Sequence, residues 1–311
     1  LNGLPPREET DMTTSLDERG PACGLNLAPI APKVGCRIDG IDLAAPTEEQ
    51  ITVLLEAFGR FGGLLMRGQT LEVDDLVGFS RRLGTLDHAP LTQVGRTAIE
   101  GFPEIYLITN LMDKEGKPMG ALGNGEAVWH TDMSYLPSPP DASLLYAREV
   151  PPSGGNTFLC SMMAAYDALP DDLKSLAHSL RIKHDATYNS GGYVRQGMEE
   201  HSDPRKTTGT FHPAVIRHPE TGRPALYLGR RRQSYIEGYD LAESEALLDK
   251  LWKYATLPEN TYEHVWKVND VLLWDNRITM HRRDSFDPAH TRLMWRTQIQ
   301  GSGAPKAFAQ A

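Results

Sequence analysis

The sequence has few cysteines, lacks a long hydrophobic run and carries no excess of basic residues. Its three cysteines in 311 residues are Cys23, Cys36 and Cys160. They are too few and too scattered for a disulfide framework or a zinc site, so we expect reduced thiols in a cytoplasmic protein. No stretch approaches the roughly 20 apolar residues that span a bilayer. The formal net charge of -9 disfavours nucleic acid as the main partner, because phosphate binding requires a basic face. We therefore expect no membrane partner and no nucleic-acid partner.

The chain also lacks a regular alternation of strands and helices and a glycine-rich phosphate fingerprint, which disfavours a nucleotide-binding α/β fold. Residues 1–24 are polar and rich in proline and glutamate, and we predict a disordered N-terminal tail there. No linker, low-complexity segment or internal repeat follows. The sequence therefore predicts a single domain over residues 25–301 and a C-terminal tail over residues 302–311.

What is present is a mixture of short β-rich runs and a few amphipathic helices. Thr47 and Gln50 have the spacing of a capping box, which predicts a helix that ends at Gly62. Further helices are predicted over residues 76–83, after Asp171 as an N-cap, and over residues 247–254. Strands are predicted over residues 105–109, 143–147, 157–160, 225–228, 262–266, 271–274 and 293–299. This pattern predicts a mainly β fold with flanking helices, a sandwich or barrel of which the jelly roll is one solution.

A histidine and an aspartate two residues apart, His130 and Asp132, are the first candidate metal ligands. In a strand, such residues point to one face and can converge on one ion. His281, 151 residues after His130, comes shortly after the apolar run of residues 271–274 and supplies a possible third ligand. Two histidines and one carboxylate form the facial triad of non-haem Fe(II) oxygenases, which leaves coordination positions open. The alternative is a histidine that is hydrogen-bonded to a nearby carboxylate in a loop.

Two arginines, Arg292 and Arg296, are four residues apart and therefore share one face of a predicted strand. A hairpin after His281 can fold this strand back towards the metal. Guanidinium groups match carboxylates in geometry, so two of them facing one pocket imply two anionic groups to be held. The alternative is ordinary ion pairing at the surface.

With these motifs, the sequence resembles the taurine dioxygenase and 2,4-dichlorophenoxyacetate dioxygenase family of Fe(II)/2-oxoglutarate-dependent oxygenases. The resemblance runs over residues 25–301 and is carried by the order of its segments. These are residues 40–43, 68–69, 129–132, 151–157, 222–228 and 274–281, followed by Arg292 and Arg296.

The resemblance implies a double-stranded β-helix, that is, a cupin-like jelly roll, and a role for each matching residue. It implies that His130, Asp132 and His281 bind Fe(II). Thr157 and Arg292 match the residues that hold the distal carboxylate of the cosubstrate 2-oxoglutarate. Arg296 matches the arginine that holds the substrate anion in the taurine enzyme. The implied enzyme is a homo-oligomeric dioxygenase that uses O2 to hydroxylate a small anionic substrate and releases succinate and CO2.

Three positions near the predicted site depart from the taurine enzyme or add to its pattern. His88 is one residue out of register with a substrate-binding histidine, and Glu126 replaces an asparagine before the metal motif. Asn110 is a further candidate polar contact to the substrate. Because Glu126 could pair with an ammonium group, a biosynthetic oxygenase that desaturates or otherwise oxidises an amino-acid-derived substrate stays open. A non-catalytic jelly-roll binding protein is a third alternative.

Residues 189–209 are rich in glycine, tyrosine and charged side chains. This segment is either a lid that closes over the site or an ordinary surface insertion.

Overall fold

The structure is a computed structural model that describes residues 16–89, 91–92, 95–96 and 98–309. The helices in this part of the chain are α1 (Leu16–Ala22), α2 (Glu48–Phe61), α3 (Val73–Leu83), α4 (Met162–Asp167), α5 (Asp171–Ala177) and α6 (Leu241–Ala255). Two short 3-10 helices cover Pro204–Lys206 and Pro258–Asn260.

Short strands make up most of the remaining regular structure. In chain order they are β1 (Asn26–Pro29), β2 (Cys36–Asp39), β3 (Gly63–Met66), β4 (Leu91–Thr92), β5 (Gly95–Arg96), β6 (Ala98–Ile99), β7 (Phe102–Thr109), β8 (Ala121–Leu122), β9 (Ala127–His130), β10 (Ala142–Glu149), β11 (Thr157–Ser161), β12 (Arg181–Asp185), β13 (Gly209–Pro213), β14 (Val215–Arg217), β15 (Pro224–Leu226), β16 (Tyr235–Ile236), β17 (Thr261–His264), β18 (Val271–Asp275), β19 (Thr279–Arg283) and β20 (Leu293–Ile299).

Two sheets form the framework. The larger has the order β1-β2-β3-β18-β10-β20-β7-β6, with β8 added beside β7, and the smaller has the order β17-β11-β19-β9. Pairs and triplets of strands complete the fold as β13-β12-β16, β14-β15 and β4-β5. The central strands β18 and β10 combine segments that are more than 100 residues apart in the sequence.

The side chains of the larger sheet alternate between two cores. On β18, Val271 and Leu273 pack in one apolar cluster with α2 and α3, whereas Leu272 and Trp274 pack in another. The second cluster also contains Leu159 from the smaller sheet, so it lies between the sheets. Strands buried on both faces read as continuous apolar runs because each face has its own core. This arrangement confirms the predicted mainly β jelly roll with covering helices.

The predicted helices form at the expected places. At α2, Thr47 Oγ1 accepts from the Gln50 amide at 3.2 Å and Gln50 Oε1 accepts from the Thr47 amide at 3.1 Å, which confirms the capping box. The helix ends where Gly62 takes a left-handed φ of 70°. The sequence analysis missed α4, which begins with the Ser161 hydroxyl as its cap. Helix α5 begins at Asp171, and Pro170 occupies the cap position that the sequence analysis gave to Asp171.

Both predicted tails contain ordered structure. Within the N-terminal tail predicted over residues 1–24, helix α1 contributes the buried Leu16 to the core, whereas residues 1–15 lie outside the described residues. Within the predicted C-terminal tail, the Phe308 amide donates to the Val215 carbonyl at 3.1 Å, beside β14. Apolar contacts available to Leu16 and Phe308 explain why these segments pack against the fold.

The predicted hairpin after His281 is wrong. Strand β19, which contains His281, belongs to the smaller sheet, and β20, which contains Arg296, belongs to the larger sheet. The connection therefore crosses from one sheet to the other. Arg292 still comes back towards His281 because it precedes β20 at the edge of the space between the two sheets.

Among the described residues, no helix has the length and apolar character needed to cross a bilayer. All three cysteines carry free thiols.

A buried histidine gives a testable link between pH and stability. His184 on β12 is 1% exposed and stacks on Tyr227 with ring centroids 5.1 Å apart. Burial lowers the pKa of His184 well below its usual value, and the neighbouring His212 lowers the pKa further. The unfolded chain regains an ordinary histidine pKa of about 6.5, so it binds the proton first as the pH falls. The free energy of unfolding should therefore decrease below about pH 6.5, by up to about 1.4 kcal/mol per pH unit for each such histidine.

We expect His184→Gln to flatten this decrease, as measured by urea unfolding from pH 7.5 to 5.0. The exposed His290 provides the control His290→Gln. An unchanged slope in His184→Gln would contradict the assignment.

Candidate metal centre and its cavity

The two histidines of the predicted triad are direct partners across neighbouring strands. His281 on β19 pairs in register with His130 on β9, and their ring centroids lie 4.1 Å apart. Asp132 follows two residues after His130. Its Oδ1 lies 3.6 Å from the Nε2 atom of each histidine. One donor atom from each of the three side chains therefore lies within 4.8 Å of the others, which is close enough to share one ion.

His130 is held in the tautomer that binds metals. Its Nδ1 lies 2.7 Å from the Val128 carbonyl oxygen, which can only accept a hydrogen bond, so Nδ1 carries the proton. The Nε2 lone pair is then free to bind a metal. Burial lowers the pKa of His281 well below its usual value, although the charge of Asp132 opposes the shift. His281 is therefore a neutral imidazole at physiological pH.

The two oxygens of the Asp132 carboxylate have different surroundings. Its Oδ2 accepts from Arg296 at 2.5 Å and from the Ser143 hydroxyl at 2.8 Å, while Oδ1 is the oxygen nearer to both histidines. Burial alone would raise the pKa of Asp132. The positive charge of Arg296 and the nearby histidines outweigh burial and hold the pKa well below its usual value. Asp132 is therefore an oriented, ionised candidate ligand.

The local backbone differs from the predicted strand. Strand β9 ends at His130, and the amide of Thr131 donates to the Gly229 carbonyl at 3.1 Å instead of continuing the ladder. Met133, directly after Asp132, has a left-handed φ of 46°. A left-handed non-glycine residue costs roughly 1 kcal/mol or more. The turn brings Asp132 to the histidines without requiring the alternation of a strand.

Arg292 is a buried cation without an acidic partner among the described residues. It is 2% exposed, and its Nε donates to the Gly155 carbonyl at 3.1 Å. Its Nη1 is buried without a partner, and among the described residues no carboxylate lies within 4.0 Å of the guanidinium. Burial lowers the pKa of Arg292 well below its usual range, and the charge of Arg283 adds to this effect. Such a cation is stabilised by an anionic ligand.

Thr157 and the preceding glycines complete the surroundings of Arg292. The Trp266 indole donates to Thr157 Oγ1 at 3.0 Å, which leaves the hydroxyl proton of Thr157 for another acceptor. Gly154 and Gly155 have φ values of 71° and 67°, and a Cβ on Gly155 would lie 3.0 Å from Arg292 Cδ. The glycines therefore allow the backbone to approach the guanidinium closely. The donor set and the unpaired Nη1 fit a metal with a dicarboxylate cosubstrate.

One cavity of about 1220 Å³ contains the triad, Thr157, Arg292 and Arg296. Among the described residues its wall contains a single carboxylate, Asp132. The other charged side chains of the wall, apart from the histidines, are Arg195, Arg230, Arg282, Arg283, Arg292 and Arg296. The apolar and aromatic part of the wall includes Tyr106, Ile108, Leu111, Tyr135, Leu145 and Met198. A cavity with this composition suits an anion with an apolar body.

The remaining predicted substrate residues are placed differently from one another. Asn110 lines the cavity, but its amide group accepts from the Arg292 backbone at 3.0 Å and donates to the His290 carbonyl at 2.9 Å. Glu126 is exposed, lies 3.9 Å from Arg282 and is absent from the cavity wall. His88 is also absent from the wall. Of these three residues, the structure brings only Asn110 to the cavity.

Sequence reasoning missed Ser143, Tyr106, Tyr135 and Arg195. Ser143 is completely buried in an apolar strand, and a polar residue in such a run signals a hydrogen-bonded role. Tyr106 faces Arg296 across the β7–β20 pair. Tyr135 and Arg195 come from irregular segments, whose convergence no sequence period indicates.

A second group of possible ligands, His218, Glu220 and Asp275, lies elsewhere in the described chain. Arg277 occupies this group, because it donates to Asp275 at 2.6 Å and to Glu220 at 2.9 Å. The cluster is therefore a buried ion-pair network in which the guanidinium of Arg277 takes the place of a metal ion.

A jelly roll that presents two histidines and one carboxylate to a cavity is typical of the non-haem Fe(II) oxygenases. Comparison with known proteins gives the family. The chain belongs to the taurine catabolism dioxygenase TauD, TfdA family, whose model matches residues 26–298. It is an alpha-ketoglutarate-dependent dioxygenase that uses Fe(II), 2-oxoglutarate and O2.

Relatives match over most of their length. The chain is 33% identical to pentalenolactone F synthase of Streptomyces avermitilis over 279 residues, covering 84% of this chain and 89% of that protein. It is 31% identical to (S)-phenoxypropionate/alpha-ketoglutarate-dioxygenase of Delftia acidovorans over 281 residues, covering 89% and 95% of the two chains. A crystal structure of AAD-2 in complex with Mn(II) and N-oxalylglycine has a TM-score of 0.73 and 29% identity, covering 90% of this chain and 99% of that one.

The contact between Arg296 and Asp132 predicts a change in metal affinity. We expect Arg296→Gln to weaken Mn(II) binding about tenfold to a hundredfold, because the outer oxygen of Asp132 loses its charged partner. Isothermal titration calorimetry measures this affinity. The control is Arg67→Gln, which breaks a comparable pair with Asp270 at 2.6 Å far from the cavity. Equal Mn(II) affinities in both variants would refute the role of Arg296.

The close approach of Gly155 to Arg292 predicts a change in cosubstrate affinity. We expect Gly155→Ala to raise the KM for 2-oxoglutarate about tenfold or more, because the added Cβ displaces the guanidinium. The control is Gly116→Ala, because Gly116 has a similar positive φ of 78° but an added Cβ there would meet no other atom. A similar rise in both variants would show that backbone strain, and not contact with Arg292, is responsible.

Proposed function

We propose that His130, Asp132 and His281 hold the Fe(II), and that Thr157 and Arg292 hold the distal carboxylate of 2-oxoglutarate. The observation that carries this proposal is the buried, uncompensated guanidinium of Arg292 in the same cavity as the three clustered ligand atoms. A carboxylate would receive charged hydrogen bonds from Arg292 and a hydroxyl proton from Thr157.

The protein positions and protects the reacting groups. When bound, Fe(II) with 2-oxoglutarate and O2 supplies an oxidant for a C–H bond, and the reaction releases succinate and CO2. Val128 fixes the tautomer of His130. Arg296 and Ser143 bind one oxygen of Asp132 and thereby orient the other oxygen towards the histidines. Asn110 fixes the backbone of Arg292. These contacts preorganise the site before any ligand binds.

We further propose a small organic anion with an apolar body as the substrate. The arginine-rich, partly aromatic cavity and the phenoxypropionate dioxygenase among the relatives support this class. Arg296 lines the cavity, but its Nη2 is already bound to Asp132 and Ser143. Its contact with the substrate anion stays a prediction, as do the contacts predicted for Asn110, Glu126 and His88.

The alternative of an amino-acid-derived substrate depended on Glu126 as a partner for an ammonium group. The exposed position of Glu126 beside Arg282 removes that support. The biosynthetic reading therefore keeps only the similarity to pentalenolactone F synthase as its favourable observation.

We also propose that residues 25–301 act as one catalytic domain, because the larger sheet combines strands from Asn26 to Ile299. The free thiols favour the cytoplasm as the compartment. A homo-oligomer follows from the family resemblance alone, and size-exclusion chromatography with light scattering tests it.

The proposed roles predict separable losses. With Fe(II), 2-oxoglutarate and a panel of sulfonates, aryloxyalkanoates, sulfate esters and amino acids, the wild-type enzyme should release succinate in a substrate-dependent manner. His130→Ala should reduce this release at least about a hundredfold, because one metal ligand is missing. Arg292→Ala should raise the KM for 2-oxoglutarate at least about tenfold, because a charged hydrogen bond is lost.

The control is Arg231→Ala, since Arg231 pairs with Glu245 and Asp249 at 2.7 Å outside the cavity. An unchanged 2-oxoglutarate affinity in Arg292→Ala would sink the assignment of that residue. A wild-type enzyme that binds iron but consumes no O2 with any member of the panel would instead favour a non-catalytic binding protein.

A further inference from the structure

Most of the cavity arginines already have a partner or an assigned ligand. Arg296 pairs with Asp132, and Arg282 lies 3.9 Å from Glu126. Arg292 is the proposed cosubstrate residue. The charges of these three guanidinium groups are therefore accounted for before a substrate enters.

Two further arginines of the wall are bound to the protein itself. Arg230 donates to the Asp185 carbonyl at 3.0 Å and lies 3.8 Å from its carboxylate. Arg283 donates to the Gly125 carbonyl. Both side chains are thereby held against the wall of the cavity.

Arg195 differs from all of these. Its Nε donates to the Tyr188 carbonyl at 3.1 Å, and its guanidinium carbon lies 4.5 Å from the centre of the Tyr135 ring. Within the described ranges, no carboxylate lies within 4.0 Å of its nitrogen atoms, and neither terminal amino group donates to another residue. One bond and one ring thus fix the guanidinium plane, while its outer edge is available for a ligand.

The segment that carries Arg195 is a docked hairpin, which we call the cavity hairpin (residues 187–198). The Arg195 amide donates to the Thr187 carbonyl at 2.8 Å, and Tyr188 forms a β-bridge with Val194. At the tip, the Val128 amide donates to the Ser190 carbonyl at 3.0 Å, which ties the hairpin to the strand of His130. The cavity hairpin overlaps in sequence with the first part of the predicted lid, residues 189–209. It contributes seven residues to the cavity wall.

The guanidinium of Arg195 and that of Arg296, which contacts Asp132, both act on the phenol of Tyr106. Burial raises the pKa of Tyr106, whereas the positive charges of Arg296 and Arg195 lower it. Both guanidiniums therefore act on one phenol group, and this phenol lies on the strand next to that of Arg296. Tyr106, Arg195 and Arg296 all line the same cavity as the candidate metal ligands.

We propose that Arg195 is a specificity-determining residue that binds the anionic group of the organic substrate, an inference that rests on the proposed function. The planar fork of arginine donates two parallel hydrogen bonds to a carboxylate, and Tyr135 restricts the orientation of that fork. The cavity then contains two separate positions for anions, Arg292 for the cosubstrate and Arg195 for the substrate. The apolar wall between them takes the body of the substrate.

A binding measurement with the cosubstrate position filled tests this assignment. The protein is loaded with Mn(II) and N-oxalylglycine, so that Arg292 is occupied and no turnover occurs. Isothermal titration calorimetry then measures the Kd of (S)-2-phenoxypropionate, its neutral amide, taurine and hexyl sulfate. The variants are Arg195→Gln, Arg195→Lys and the control Arg205→Gln, which removes an exposed arginine outside the cavity hairpin that pairs with Asp203 at 2.8 Å.

We expect Arg195→Gln to weaken binding of the anion that the wild-type protein prefers about tenfold to a hundredfold. Binding of the amide should change less than threefold, and Arg205→Gln should resemble the wild type. Arg195→Lys should recover part of the lost affinity, because it restores the charge without the fork.

The proposal is overturned if Arg195→Gln binds every anion as the wild type does, or if it loses amide binding by the same factor. If such an unaffected anion also drives succinate release, the proposed function stands and only the assignment of Arg195 fails. If the wild-type protein neither binds nor turns over any anion of the panel, the proposed substrate class and the role of Arg195 both fail.

Discussion

The register between β9 and β19 is the constraint on which the rest of the site depends. It makes His130 and His281 direct neighbours, although 151 residues separate them in the sequence. A shift of one residue in either strand would turn one imidazole to the opposite face of the smaller sheet. The register is stabilised because Met280, next to His281, is buried in the apolar cluster that includes α4 and α6. Core packing on one face of β19 therefore positions His281, the proposed metal ligand, on the other face.

The distribution of charge inside the cavity is opposite to that of the whole chain. The protein has a net charge of -9, yet six arginines and a single aspartate line the cavity in the described structure. Any attraction for an anion is therefore local, and it acts where low polarity strengthens each hydrogen bond. The arginines of this cavity differ in whether they already have a partner in the protein, and this difference determines where an anion can bind. Arg296 is compensated by Asp132, Arg292 has an unpaired Nη1, and Arg195 presents an open edge.

The sequence predicts those features that follow from spacing and misses those that follow from convergence. The capping box at Thr47 can be read directly from residue spacing, and the fully buried strand β18 from its continuous apolar run. The residues of the triad were predicted because His130 and Asp132 lie two residues apart and His281 comes shortly after an apolar run. The assumed hairpin after His281 failed because chain distance does not show whether a connection stays in one sheet. Tyr135 and Arg195 lie in turns and loops, whose meeting point depends on the whole fold.

The pair formed by Asp132 and Arg296 has a consequence for evolution and for redesign of the enzyme. Loss of the carboxylate alone would leave a buried guanidinium uncompensated, and loss of the guanidinium alone would leave the outer oxygen of the buried carboxylate with only a serine as partner. Each single change therefore removes the charged partner of a buried group. The two positions should therefore covary in related sequences. A redesigned site that dispenses with the carboxylate has to supply another anion beside the metal or exchange both residues together.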